Sequence, residues 1–444
     1  MEAATKATGA RAPVVRPNAW QALMRREIGP LPLPVYVAVA GITVAAALAG
    51  KLPNDIIGGL SVLMLMGFLL GDIGNRIPVL KHIGGAAILC LFVPSALIGY
   101  GLLDPGMQKA LTTTMKTANV QYLYIAGLVA GSILGMRHRV LVQGFMRMFV
   151  PLLAGTTAAI VAGVLVGLLF GYDPAHTFFF IVIPILGGGI GEGILPLSIG
   201  YAEILGKSQA ELVAMMVPAA LVGNVVAIVA SGILRWLGDR TPALNGHGML
   251  VKSGADAELL NDTQDAQPFD VGLMGAGLLI ACAFFILGAL LAKVTGIPGP
   301  ILMIVSAALI KVCKVLPARM ELGAYQMYQF FSKNLTFAIL VGLGALFVSW
   351  KDLVHAFTPG YIAICAASVG AMVACGFFVG KWLNMYPVES GIVTACHSGL
   401  GGTGDVAILT ASNRMGLMPF AQISTRIGGA AMIVAATVLL KLFH

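Results

Sequence analysis

Charge is scarce in this chain. Only 10% of its 444 residues are Asp, Glu, Lys or Arg, against about 25% in an ordinary soluble domain. Aromatic residues are also few, at 8%, and no basic cluster interleaves with them, so nucleic acid is not an expected partner. The six cysteines (Cys90, Cys282, Cys313, Cys365, Cys375, Cys396) show no CxxC spacing and all fall in apolar segments. That argues against a disulfide framework or a cysteine metal site and for small unpaired core residues. There is no HExxH, no nucleophile–base pair and no metal-ligand cluster, so the chain is not expected to be an enzyme or to hold a cofactor. The first thirty residues are polar and basic, and the apolar run that follows is as long as a membrane span. A cleaved signal peptide has a shorter apolar core, so a cytosolic tail is expected instead.

What the chain has in abundance is apolar sequence: 58% hydrophobic residues, with mean hydropathy +0.91. Runs near twenty residues recur along its length, the span of a transmembrane helix. The 56 glycines and 22 prolines suit such helices better than soluble ones. The expected fold is an all-α integral membrane protein. Apolar runs predict crossings near 32–50, 56–74, 83–103, 121–136, 148–171, 210–237, 271–293, 298–316, 335–350, 359–385 and 419–442, about eleven in all. Two further apolar stretches, 175–206 and 386–418, are each cut near the middle by glycines and an acid, and are read as re-entrant hairpins.

Loop charge gives the direction, because cytosolic loops collect Lys and Arg. With a cytosolic N-terminus the inside loops hold Arg76, Lys81, Arg137, Arg139, Arg147, Arg235, Arg240, Lys252, Lys311, Lys314, Arg319, Lys333 and Lys381. The outside loops hold only Lys51, Lys109, Lys116, Lys207, Lys293 and Lys351. The C-terminus is then expected to lie outside.

The chain divides at an acidic polar stretch. Residues 1–31 form the tail, 32–50 an extra span, 51–238 a first half with hairpin 175–206, 239–270 a flexible cytosolic linker, and 271–444 a second half with hairpin 386–418. The halves echo each other. GGIGE at 188–192 lines up with GGTGD at 401–405, and LLGDIGNRIP at 69–78 with LLAKVTGIP at 290–298. A mixed stretch precedes the fourth and ninth crossings, at 104–120 and 317–334, and each reads as an amphipathic helix along the membrane surface. An odd number of crossings per half makes the two halves run in opposite senses, an inverted repeat of the kind secondary transporters use. The hairpins then enter from opposite sides, and their tips can meet near mid-depth.

Irregular backbone at membrane depth is tolerated only inside protein or beside a wet cavity. Gly188, Gly189, Ile190, Gly191 and Gly401, Gly402, Thr403, Gly404 are therefore expected to line a binding cavity. The free N–H groups where each second half-helix begins favour an anion, and freed carbonyls can coordinate a cation. Glu192 and Asp405 are either helix caps or cation attractors. Arg426, deep in PFAQISTRIGGA, has no acid three or four residues before it, and its planar fork suits a carboxylate. It is read as the main substrate contact, the alternative being a structural pair with Asp72. Arg414 is read as an anchor at the base of the hairpin. His397 is a proton candidate or a backbone hydrogen-bonder. Ser398, Gly399, Thr403, Asp405, Thr425 and Glu192 are candidate ligands for a cation such as Na+, with Ser424 another hydroxyl at that depth.

At these residues the chain resembles the 2-hydroxycarboxylate transporter family, bacterial carriers of citrate, malate and lactate. The resemblance rests on GGGIGEGILPLS (187–198), GGTGDVAIL (401–409) and NRMGLMPFAQISTRIGGA (413–430). It implies a homodimer in which one part of each protomer carries substrate and hairpins across, elevator-fashion, with Na+ or H+. It also implies that Arg426 is a substrate ligand. Sodium-coupled citrate carriers of that family have polar or basic residues just before the second GG and an asparagine in the first GGxG. Here those places hold Gly399, Leu400 and Ile190. One fewer arginine favours malate over citrate and keeps protons open as the coupling ion. The competing readings are a cation/proton antiporter and an exchanger of hydroxy-dicarboxylate against lactate on the same scaffold.

Overall fold

A computed structural model of the chain describes residues 19–78, 85–136, 138, 145–252, 268–295, 297, 299–348, 350–351 and 358–443. Residues 1–18 of the tail, the basic positions Lys81, Arg137 and Arg139, residues 253–267 of the linker and the side chain of Thr403 lie outside the described set.

Helices dominate, and a two-stranded hairpin at Glu27–Ile28 and Leu31–Pro32 lies between the short helix Ala19–Met24 and the longer ones. Among the described residues six helices are long and apolar enough to cross a membrane: Ile56–Arg76, Met146–Leu169, Gln209–Arg240, Val271–Thr295, Pro359–Trp382 and Met415–Phe443. Two bent pairs raise the number to eight if each is one span: Pro105–Thr117 with Val120–Gly135, bent by 52°, and Ala318–Asn334 with Thr336–Leu346, bent by 55°. The eleven expected crossings included three further runs, and these form shorter helices: Leu33–Leu48, Gly85–Gly99 and Gly299–Val312. A helix of 16 residues is only about 24 Å long at 1.5 Å per residue, against a hydrocarbon core of about 30 Å.

The two mixed stretches at 104–120 and 317–334 are helical, but they are not merely surface elements. Leu111 and Met115, like Met327, Tyr328 and Phe331, are buried. Glycines allow this close approach: a Cβ at Gly277 would overlap the backbone of Gly323, and one at Gly131 would overlap the carbonyl of Ala324. Helix 318–334 therefore packs against 271–295 and 120–135. Local features set the ends. Asp55 caps Ile56–Arg76 by accepting from the N–H groups of Ile57 and Gly58, and Ser208 caps Gln209–Arg240 by accepting from Glu211. An oxygen at the N-cap satisfies donors that the helix itself leaves free.

The buried apolar side chains fall into two clusters. One draws on helices 56–76, 85–99, 120–135, 271–295, 299–312, 318–334 and 336–346, and also on the first hairpin from Ile190 to Tyr201, the start of helix 209–240, Leu400 and the last helix from Ile433 to Leu440; the other draws on 145–169, 181–186, 219–234, 359–382 and 388–423. Helices 145–169 and 359–382 pack directly on each other in the second cluster. All six cysteines are free, three of them buried. The two glycine-interrupted stretches are broken where expected. The helical segment Pro174–Leu186 stops at Gly187, and the chain becomes helical again at Ile190. Pro387–Cys396 stops before a turn, and Gly402–Ser412 resumes.

Candidate functional site

The two breaks meet. Gly189 has φ +108° and Gly401 has φ +72°, conformations that favour glycine. A Cβ on Gly189 would overlap the backbone of Leu400 and Gly401. Gly188 lies equally close to the Thr425 carbonyl, and Gly429 lies against Gly187 and Gly188. Three irregular segments thus converge: 187–191, 397–402 and 423–428. In two of them the helix widens to i→i+5 bonding, as in Ile194 N–H to Gly189 O at 2.9 Å. Such widened turns occur frequently at functional sites. Ile190 and Leu400 are buried at this junction.

Arg426 sits there, 7% exposed. Its Nη2 donates to the Tyr328 hydroxyl at 2.6 Å and its Nη1 to the Ser132 carbonyl at 3.5 Å. The guanidinium carbon lies 4.4 Å from the Tyr328 ring centroid. Among the described residues no carboxylate lies within 4.0 Å of it, although Glu192 and Asp405 are near enough to interact electrostatically. Asp72, the alternative partner weighed from sequence, pairs with Arg76 at 2.8 Å on an exposed face. Arg426 lines a cavity of about 630 Å³ together with Gly402, Tyr325, Tyr328, Gln329, Ser332, Gln422, Asn75 and Lys333. Among the described residues the charged side chains lining it are Arg426 and Lys333, both cationic. Helix Gly402–Ser412 starts without a side-chain cap. A cationic cavity ending at a guanidinium and a helix N-terminus is built to take an anion.

Beside it lies a second cluster. The Thr425 hydroxyl is 2.6 Å from Asp405 Oδ1 and 2.9 Å from the Cys396 carbonyl oxygen. One hydroxyl carries one proton and cannot donate fully to both. The geometry is satisfied by a proton on Asp405 or by a cation among these oxygens. Asp405 and Thr425 are nearly fully buried, and so is Ser424, whose hydroxyl has no partner. The other residues singled out from sequence divide. Gly399 packs beside Asp405. Ser398 turns away, toward the sulfur of Met372. His397 donates from Nδ1 to the Ser424 carbonyl at 2.8 Å, and its buried Nε2 has no partner among the described residues. Glu192, in the widened turn 190–194, faces Tyr328 and Arg426.

Three residues escaped the sequence reading. Asn224 accepts from the Leu400 N–H at 3.2 Å and so holds the second tip to helix 209–240. A lone asparagine inside the run LVGNVVAIV was the available signal. Tyr328 gave none, since its partner lies far away in the chain. Glu389 forms a buried ion pair with Arg414 at 3.1 Å. Arg414 was expected to be a membrane-face anchor, but it is 6% exposed and also donates to Asn245 Oδ1 at 2.8 Å. Burial together with a carboxylate explains why it does not reach the membrane face.

That pair orders the start of the linker. Glu389 accepts from the Gly246 and Gly248 N–H groups at 2.8 and 3.3 Å. Val251 pairs antiparallel with Met385, flanked by Tyr386 N–H to Leu250 O and Lys252 N–H to Asn384 O. Val251 and Met385 therefore form the non-hydrogen-bonded type of pair, with Cα atoms about 4.5 Å apart, within the reach of a disulfide. We expect Val251→Cys with Met385→Cys to oxidise readily without loss of transport, because 245–252 and the second hairpin form one unit. Transport arrested on oxidation and restored by reductant would show that they separate during the cycle.

Comparison with known proteins agrees with the geometry. The chain is 55% identical over 426 residues to the Na(+)-malate symporter of Bacillus subtilis (strain 168), covering 96% of this chain and 95% of that protein. It is 41% identical over 432 residues to a citrate/malate-proton symporter of the same organism, covering 97% and 96%. It is 30% identical over 431 residues to the citrate/sodium symporter of Salmonella typhimurium, covering 95% and 96%. A sequence model of the 2-hydroxycarboxylate transporter family matches residues 28–438, and the chain belongs to that family of transporters.

Proposed function

We propose that this protein is a symporter of a 2-hydroxy dicarboxylate, malate, with Na+, in the bacterial cytoplasmic membrane. The observation that carries the reading is Arg426, buried at the end of a cavity where the two broken helices meet. One carboxylate binds the guanidinium fork and the free N–H groups at the start of helix Gly402–Ser412. Gly188, Gly189 and Gly191 give the first tip the close backbone approach that lets it wall the site. Dicarboxylate over tricarboxylate follows from the cations on hand: among the described residues lining the cavity only Lys333 accompanies Arg426, and Leu400 and Ile190 are apolar. The likeness to a Na(+)-malate symporter at 55% identity supports the same choice and the ion. The coupling cation is assigned to Asp405, Thr425 and the Cys396 carbonyl, whose geometry calls for a positive charge, rather than to His397 or Ser398.

Alternating access is assigned to an elevator-type movement of helices 145–169 and 359–382, with both hairpins, against helices 56–76, 120–135, 271–295 and 318–334. The position of Arg426, between Ile423 of the second apolar cluster and Tyr328 of the first, supports it. An inverted repeat is supported by matched packing. Helix 336–346 packs on 56–76 and 85–99, while helix 120–135 packs on 271–295 and 299–312, and both bent pairs stand at equivalent places. The half-helices Pro387–Cys396 and Gly402–Ser412, of 10 and 11 residues, are about 15 Å long. That is half a bilayer core, which supports re-entrant hairpins. The mobile core needs a fixed partner, and a homodimer through the first cluster supplies one.

The test is uptake of labelled malate into proteoliposomes under an imposed Na+ gradient or an imposed pH gradient. Uptake driven by Na+ alone, and outcompeted better by malate than by citrate, is expected. Uptake driven only by the pH gradient would move the coupling to a proton on Asp405.

A further inference from the structure

Tyr328 stands apart from the machinery described so far. It lies on helix Ala318–Asn334, which belongs to the first apolar cluster, whereas Arg426 lies beside the hairpin tips between Ile423 and Ile427, which pack in the second. The bond between them therefore joins the two cores. The tyrosine ring is buried and stacked on Tyr325, with centroids 6.2 Å apart and planes within 20°. Its hydroxyl is held at a defined point, 2.6 Å from Arg426 Nη2. A Cβ built on Gly402 would be 3.7 Å from that oxygen. The hydroxyl thus sits beside the first residue of helix Gly402–Ser412 as well as on the guanidinium. Those two groups are the ones a carboxylate would seek.

We propose that Tyr328 is a specificity-determining residue that competes with the substrate carboxylate for Arg426, its phenol oxygen standing where that carboxylate binds. The proposal rests on the assignment of an anionic substrate to this cavity. Its physical basis is the cost of an unsatisfied buried guanidinium. A neutral hydroxyl satisfies one N–H. A carboxylate carries full charge and offers two oxygens to the fork, so it forms the stronger set of bonds and displaces the hydroxyl. Neutral polyols and amides lack that advantage and do not. The exchange also works in reverse. When the substrate leaves, the hydroxyl returns to the guanidinium, so the charge is never left bare and release is faster. Displacement removes the hydrogen bond by which Tyr328 ties Arg426 to helix 318–334. Loading of the site and freedom of the second core to move are linked in this way.

The experiment is Tyr328→Phe, which keeps the ring and removes the hydroxyl. The Kd of purified protein for malate is measured by titration beside wild type, and the maximal uptake rate in proteoliposomes. We expect Kd to fall about tenfold, equivalent to about 1.4 kcal/mol, while the maximal rate falls because release slows. Tyr328→Leu, which lacks both hydroxyl and ring, is expected to lower Kd as well and serves should the Phe variant not fold. A Kd that rises or stays unchanged in a folded variant overturns the competition: the hydroxyl would then bind substrate itself or only brace the arginine. Wild-type protein that neither binds nor takes up malate overturns the substrate assignment, and the proposal with it. Wild type that transports while the variants bind more weakly overturns the competition alone.

Discussion

Arg426→Ala is expected to abolish malate uptake, to below about a hundredth of the wild-type rate. A hydrogen bond to a charged group is worth about 1.5–3 kcal/mol, and a bidentate pair loses two of them, so a factor of a hundred or more follows. Arg426→Lys keeps the charge but not the planar fork, and a substantial loss is expected there too. The alanine variant is still expected to fold. The partners left behind are the neutral Tyr328 hydroxyl and a carbonyl, and no carboxylate within 4.0 Å loses its counter-charge among the described residues. Initial rates of labelled malate uptake, normalised to folded protein by size-exclusion chromatography, decide the matter. An alanine variant that keeps a tenth of the wild-type rate would remove Arg426 from the substrate site.

The burial of Arg426 beside the two breaks was legible because a charge in an apolar run is costly: about 2.5–3.5 kcal/mol at a helix centre on insertion scales. The breaks at 187–191 and 399–404 were legible for a related reason, since glycine clusters beside an acid cannot continue an apolar helix into lipid. What escaped was non-local. Tyr328 belongs to a stretch whose polar residues suggested a surface helix, and only the packing of Gly323 against Gly277 brings it inside. The order of 245–252 comes from the buried Glu389–Arg414 pair and from backbone pairing with 384–386, and no hydrophobic period encodes either. Hydropathy marks apolar runs but not the length of unbroken helix, and three of the expected runs form helices of 16, 15 and 14 residues.

Glu389→Ala is expected to destabilise the protein more than any exposed pair does. Glu389 is 0% exposed and Arg414 6%. Removing one partner of a buried pair leaves the other charge without compensation, at a cost of about 3–5 kcal/mol. Here the loss is larger than the pair alone, because the N–H groups of Gly246 and Gly248 lose their acceptor too. Lys207 and Glu211 form the natural control, a pair of 2.9 Å whose side chains are about half exposed. Such surface pairs contribute about 0–1 kcal/mol, so Lys207→Ala should leave Tm nearly unchanged. The double variant Glu389→Leu with Arg414→Leu separates charge from packing, since replacing both members of a buried pair with apolar groups is often neutral. It is expected to be more stable than Glu389→Ala, although it still lacks an acceptor for the linker backbone. Tm measured on the purified proteins tests all three. Equal Tm for Glu389→Ala and Lys207→Ala would mean that the buried pair does not clasp the linker to the hairpin. The linker's order would then rest on the Val251–Met385 pairing alone.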